Sequence, residues 1–214
     1  MAEVTAGYED PISSRSRIIA TAARLTCSDG WSKVTMGRLA AEAGVSRQTV
    51  YNAVGSRDDL AEAMVLTESA KFVFKIVEGF EKHPDDLLAA VHDAVELPLA
   101  FAAGNALLHA VISATHGANT ELLPLLTTHA ESLLGTVKAV VHDQADRYEI
   151  DLEPEEISAV IDIMVRSSMS HVMQPTGTPR ETADSITWLV ARVLGRTGDL
   201  IASGSDAARL KPRA

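Results

Sequence analysis

Apolar residues recur at helical spacing along most of this chain, and nowhere do they alternate over the length of a strand. The pattern predicts an all-α protein. In ISSRSRIIATAARLTCSDG, residues 12–30, Ile18, Ile19, Ala22, Ala23 and Leu25 fall on one helical face, opened by Ser13 or Ser14 and closed by Ser28, Asp29 and Gly30. Trp31 stands in the connection as an apolar plug. Thr35 is placed to cap a short helix, TMGRLAAEA, that turns Met36, Leu39 and Ala40 inward, and Gly44 to end it in the left-handed conformation. Ser46 caps a third helix, SRQTVYNAV, with Val50 as its anchor. Two short helices around a three-residue glycine turn make a helix-turn-helix.

Ser56, with Asp59 three residues on, opens a long fourth helix through LAEAMVLTESAKFVFKIVEGF, which leads out of this module. If it tilts when the rest of the chain binds a ligand, the module tilts with it. Further helices are predicted over 85–101, where Pro98 introduces a kink, and over 104–115, 121–147, 154–173 and 179–195. Loops separate them at 83–84, 116–120, 148–153 and 174–179. The organisation expected is a helix-turn-helix domain at 12–57, a larger helical effector-binding and dimerisation domain at 58–200, and a frayed tail at 201–214, where apolar density falls away.

Charge sharpens the picture once it is divided along the chain. The whole carries a formal net charge of -10, yet residues 12–57 hold seven bases (Arg15, Arg17, Arg24, Lys33, Arg38, Arg47, Arg57) and two acids (Asp29, Glu42). A basic module on an acidic chain suits a protein that meets phosphate at one end only, since such contacts are local and salt-screened. The polar, acidic N-terminus does not read as a signal peptide, and no apolar run approaches the roughly 20 residues that cross a bilayer. A cytoplasmic protein without membrane contact is expected. The single cysteine, Cys27, reads as a small buried hydrophobe.

The turn at 44–46 presents the third helix to a DNA major groove while the amide end of the second faces a backbone phosphate. Near its exposed start, Arg47 is suited to guanine, Gln48 to adenine and the Thr49 methyl to thymine; Tyr51 and Asn52, further on, are better placed for phosphate. Residues 15–60 resemble the DNA-binding domain of TetR-family transcriptional regulators. The resemblance rests on Ala22-Ala23 and Leu25, Gly30 with an aromatic at 31, Thr35 before Leu39-Ala40, the AGVS turn at 43–46, Tyr51, and SRDDL at 56–60. It implies a homodimer that binds a palindromic operator and releases it when a small molecule fills the C-terminal domain. The DNA-binding set expected is Thr35, Ser46, Arg47, Gln48, Thr49, Tyr51, Asn52 and Arg57.

Two departures from the family pattern stand out. Ala53-Val54 occupies the place of a histidine or tyrosine followed by phenylalanine, and Thr26 stands where phenylalanine is common. Both shrink a small core, leaving Trp31 and Met36 to supply volume.

In the helices that follow, apolar residues exceed one thin face and are interleaved with histidines. The pocket expected is lined by His92, Leu99, Phe101, Asn105, Leu108, His109, Ile112, His116, Leu125 and His129, and suits a small lipophilic effector with one polar group. The last two helices are expected to dimerise through Ile157, Ile161, Met164, Val165, Met169, Ile186, Leu189, Val190 and Val193. No HExxH, cysteine ligand set, phosphate loop or GxSxG elbow is present, and adjacent pairs such as His92-Asp93 point apart on a helix, so neither catalytic residues, a metal site nor a cofactor is expected. The function implied is that of an effector-responsive transcriptional repressor, with an activator, a dual regulator or a metal-responsive regulator as alternatives.

Overall fold

The computed structural model describes residues 11–109 and 123–195, without the side chains of 11–13 and 123–130. Helix follows helix: α1 (Pro11–Asp29), a 3₁₀ turn (Trp31–Lys33), α2 (Met36–Ala43), α3 (Arg47–Val54), α4 (Arg57–Glu81), α5 (Leu87–Gly104), α6 (Leu123–Ala145), α7 (Pro154–Met173) and α8 (Pro179–Val193). Residues 106–109 are also helical, and no strand occurs among the described residues. The rest of the helix expected over 104–115, the loop at 116–120 and the tail at 201–214 lie outside them.

The chain divides into two units, Met1–Glu68 with Ala106–Leu126, and Ser69–Asn105 with Thr127–Ala214. In the first, α1 packs on both α2 and α3, and these two pack on each other. Its core gathers Ile18, Ile19, Ala22 and Leu25 from α1, Leu39 from α2, and Val50 and Val54 from α3. Trp31 and Met36 are buried in the same cluster, taking up volume where the aromatic positions are small. Thr26, fully enclosed, satisfies its hydroxyl within its own helix by donating to the Ala22 carbonyl at 2.8 Å. Cys27 does not share this burial. It lies one residue, or about 100° of helix, past Thr26 and is exposed, which corrects its expected place in the core.

In the second unit α5 is the central element, packed chiefly on α8 and also on α7. It buries Leu87, Leu88, Ala90, Val91, Ala94, Val95, Pro98, Leu99 and Ala102, too many for one stripe. By length and composition α5 passes as a membrane span, but half of it is already buried inside the protein, as in a core helix. Helix α8 opens with Pro179 behind a reciprocal cap: Thr178 N–H donates to Glu181 Oε2 at 2.8 Å, and Glu181 N–H to Thr178 Oγ1 at 3.2 Å.

Helix α4 meets the backbone of α5 at Gly79. A Cβ there would stand 2.6 Å from the Ala94 Cα and from the Asp93 carbonyl carbon, with backbone that cannot yield. Gly79→Ala is therefore expected to lower the unfolding midpoint, even though alanine favours helix over glycine by about 1 kcal/mol. Urea denaturation followed by circular dichroism checks the sign.

Candidate nucleic-acid interface

The caps of α2 and α3 determine how the two helices meet. Thr35 accepts the Arg38 N–H at 3.2 Å, and Gly44 takes φ 68°, where an L side chain would be strained. From there the Gly44 N–H reaches the Ala40 and Ala41 carbonyls, and Val45 N–H the Ala40 carbonyl at 3.0 Å. Ser46 starts α3 by accepting the Thr49 N–H at 3.0 Å, and its hydroxyl also bonds the Thr49 hydroxyl at 2.8 Å. Gly55, with φ 74°, ends α3, and the reciprocal Ser56–Asp59 cap starts α4. The hydrogen bonds from Ser56 hold the Asp59 carboxyl below the usual aspartate range.

Because Val50 and Val54 point into the core, Arg47, Gln48, Tyr51 and Asn52 recur at i, i+1, i+4 and i+5 on the opposite, exposed face of α3. Gln48 Nε2 donates to Asn52 Oδ1 at 2.8 Å, so those two amides stand as a pair. Thr35, Gly37, Arg47, Tyr51 and Ser56 line an open basin between the start of α2 and α3. Both acids of the basic segment are already paired: Arg38 holds Asp29, lowering its pKa through their hydrogen bond, and Arg24 reaches Glu42 at 3.3 Å.

Arg57 also lines this basin, with its guanidinium turned onto backbone carbonyls. Its guanidinium lies 4.5 Å from the centre of the Trp31 ring, donating from Nε to the Val34 carbonyl at 3.0 Å and from Nη2 to the Trp31 carbonyl at 2.7 Å. These bonds fasten the first turn of α4 to the segment just before the Thr35 cap. The contact pattern is that of a strut for α2, and only the distance between residues 31–34 and 57 in sequence kept it from being read beforehand.

The residues expected to line the pocket divide between the two units. Ile112, His116, Leu125 and His129 lie outside the described side chains; Leu108 and His109 belong to the first unit; His92, Leu99, Phe101 and Asn105 belong to the second. Two small apolar cavities occur among the described residues of the second unit, and none of the six described pocket residues lines either. One, of about 30 Å³, lies among Phe72, Val95, Pro98, Val137, Met164 and Met169; the other, of about 40 Å³, among Phe80, Val91, Ile157, Ile161, Val190 and Leu194.

His92 is engaged instead with carboxylates, its Nε2 3.1 Å from Asp184 Oδ1 on α8, and its Nδ1 3.5 Å from Asp93 and 3.6 Å from Glu96. Adjacent on the helix, His92 and Asp93 do come together, contrary to the expectation. His92, Asp93 and Glu96 have the donor atoms to hold a cation.

The dimerisation set needs a correction. Ile161, Met164, Val165, Ile186 and Val190 are buried inside their own unit, because three- and four-residue steps put them on the faces of α7 and α8 that meet the core. Leu189 and Val193 do face outward, joined by Ile163 and Met173, which the sequence reading passed over. Ile157 and Met169 are half-buried.

Comparison with known proteins agrees with this geometry. Residues 18–64 match the model for bacterial regulatory proteins of the tetR family, and residues 86–192 match a tetracyclin repressor C-terminal domain. The HTH-type transcriptional regulator AlkX of Mycobacterium tuberculosis (strain H37Rv) is 23% identical over 168 residues, 78% of this chain and 79% of that one. Among solved structures, the TetR family repressor AlkX of Dietzia sp. strain DQ12-45-1b, implicated in biodegradation of n-alkanes, is 27% identical with a TM-score of 0.65. That alignment covers 89% of this chain and 98% of the other. A Mesorhizobium loti MAFF303099 protein ascribed to TetR-family transcriptional regulators shares the fold at 18% identity and a TM-score of 0.63, covering 86% and 97%.

The Arg57 strut leads to a direct measurement. Arg57→Met is expected to cost about 2 kcal/mol in urea unfolding, the scale of hydrogen bonds from a charged donor. Arg57→Lys recovers only part of this, since a lysine cannot stack flat on Trp31 while reaching two carbonyls.

Proposed function

From the membership of this chain in the TetR family of bacterial transcriptional regulators, we propose that it is a cytoplasmic, homodimeric repressor that occupies a palindromic operator and leaves it when a lipophilic effector binds. The observation that carries the DNA-binding part is the outer face of α3. It sets polar groups of several hydrogen-bonding types beside a basin that also takes in the start of α2, with no acid among the described residues that line it. Thr35, Ser46 and Thr49 shape the two helix starts, Gln48 and Asn52 face the bases, and Arg47 and Tyr51 are available to the groove edge and phosphates. Repression is the simpler outcome because occupancy of a promoter suffices for it.

The second copy docks through the outward faces of α7 and α8, where Ile163, Met173, Leu189 and Val193 supply exposed apolar surface. The effector enters among the aliphatic and methionine side chains of the second unit, a lining that favours an alkyl chain over a polar ligand. The n-alkane association of the Dietzia relative supports the same chemistry. A cavity of about 30 Å³ holds only a few atoms, so an alkyl ligand requires the lining helices to part. A ligand that selects such a parted state shifts the protein away from its DNA-binding form. Helix α4 is the covalent route, unbroken from Arg57 to Glu81.

Selection of bound duplexes from a random pool is expected to enrich a palindrome, with affinity that falls steeply as salt rises. Transcription from a promoter bearing that site should fall when the protein is added; a rise would overturn the repressor assignment and leave DNA binding intact. Leu189→Glu should yield a folded monomer by sedimentation, with loss of palindrome binding. A medium-chain n-alkane or alkyl carboxylate is expected to release the wild-type complex. Val137→Leu, which fills part of the cavity with one methylene, should blunt that release without weakening operator binding.

A further inference from the structure

We propose that DNA recognition by α3 is divided in two: Arg47 grips a backbone phosphate from a seat over Gly37, and Gln48 with Asn52 reads one base pair as a locked unit. The inference rests on the operator-binding reading above.

Arg47 is the first residue of α3, from which an extended side chain would reach outward. Its guanidinium instead folds back on α2. A Cβ placed on Gly37 would meet Nη2 at 2.7 Å and Cζ and Nε at 3.0 Å, so the guanidinium rests in the space that a side chain there would fill. Nothing else in the backbone calls for glycine at 37. It is not among the glycines with positive φ, which are Gly30, Gly44, Gly55 and Gly195, and alanine would favour helix by about 1 kcal/mol. The space for Arg47 is what the missing side chain provides.

From that seat Arg47 makes no hydrogen bond or ion pair with any described residue, so its donors remain available. It shares the basin with Thr35, Tyr51 and the first turn of α2, whose leading N–H groups have no helical partner. Among the described residues no acidic side chain lines the basin, which therefore matches a tetrahedral oxyanion in charge and in donor type. A guanidinium held against the flank of α2 is directed to the DNA backbone rather than to a base edge.

Gln48 and Asn52 lie one helical turn apart on the exposed face, joined by the 2.8 Å amide hydrogen bond. Each satisfies the other with one group and keeps further amide donors and the Gln48 Oε1 acceptor outward. A side-chain amide is the bidentate partner of adenine, and a pair already ordered loses less conformational freedom on docking. Changing either member removes both the contact and the support of its neighbour, so the two behave as one reader.

The test uses the full-length protein, with the wild-type selection as reference, followed by titration of variants on the selected duplex and a scrambled one over a salt series. Arg47→Ala should weaken both duplexes by the same factor, roughly 10- to 100-fold for a lost charge-assisted bond. The log–log salt slope should become shallower by about 0.9 for each phosphate contact removed. Gly37→Ala should keep or raise the melting temperature while reproducing that loss, and Gly37→Ala with Arg47→Ala should be no weaker than Arg47→Ala alone. Gln48→Ala and Asn52→Ala should each flatten preference at the same base-pair position, with no further loss in the double variant. Arg47→Ala that erases preference at one position with an unchanged salt slope would make Arg47 a base reader and overturn the division. Wild-type affinity in Gly37→Ala would remove the seat, and additive effects of Gln48→Ala and Asn52→Ala at separate positions would dissolve the pair. If the wild-type chain enriches no sequence, the operator reading itself fails and this inference falls with it.

Discussion

Helices α2 and α3 have eight residues each, well short of the roughly 12 to 15 at which an isolated helix becomes even marginal in water. They exist because they are packed. Leu39 and Val50, fully enclosed against α1, supply the burial, and the turn through Gly44 brings the second helix in at a defined angle. An element that is helical only while its apolar side is covered has no freedom to present another side. The outward set on α3 is therefore a consequence of the core beneath it, and the rest of the head reinforces this one dependence. Arg57 ties α4 to the approach to α2, and the Asp29–Arg38 pair ties the end of α1 to α2 itself.

The acidity of the chain is compatible with DNA binding for a local reason. Within the basic segment, Asp29 and Glu42 are each answered by an arginine, and no carboxylate stands among the described residues that line the basin at the start of α2. Charges further away than about 10 Å are largely screened at ordinary salt. The small core beneath is also reconciled with its departures from the family pattern. Thr26 buries a hydroxyl without leaving it unpaired, and Trp31 brings volume from the turn while its ring also receives Arg57.

In the second unit one fact governs both remaining surfaces. Helices α7 and α8 are amphipathic at the helical period, and their larger apolar residues divide between a face spent on the internal core and a smaller outward remainder. Beside the internal share lie narrow apolar cavities, and His92 is drawn across to Asp184 instead of lining one. Under the proposed function, a ligand entering there would have to part the lining helices, so that occupancy changes the state of the domain.

The helices, their caps and the glycine turn were legible in the sequence because they depend on contacts between residues at most five apart. Thr35, Gly44, Ser46, and Ser56 with Asp59 do in the structure what their spacing implied. The family pattern over residues 15–60 was legible for the same reason, being a string of such local devices. Tertiary structure alone decided the rest. A helix turns about 100° per residue, so a small uncertainty in register moves a side chain from core to solvent, as with Cys27, or from a supposed interface to the core, as with Ile161 and Val190. Contacts between distant positions carry no local mark at all: Arg57 on residues 31–34, Arg47 over Gly37, and His92 with an aspartate 92 residues away. Those pairings follow from how the helices pack, and packing depends on the shapes of all their faces together.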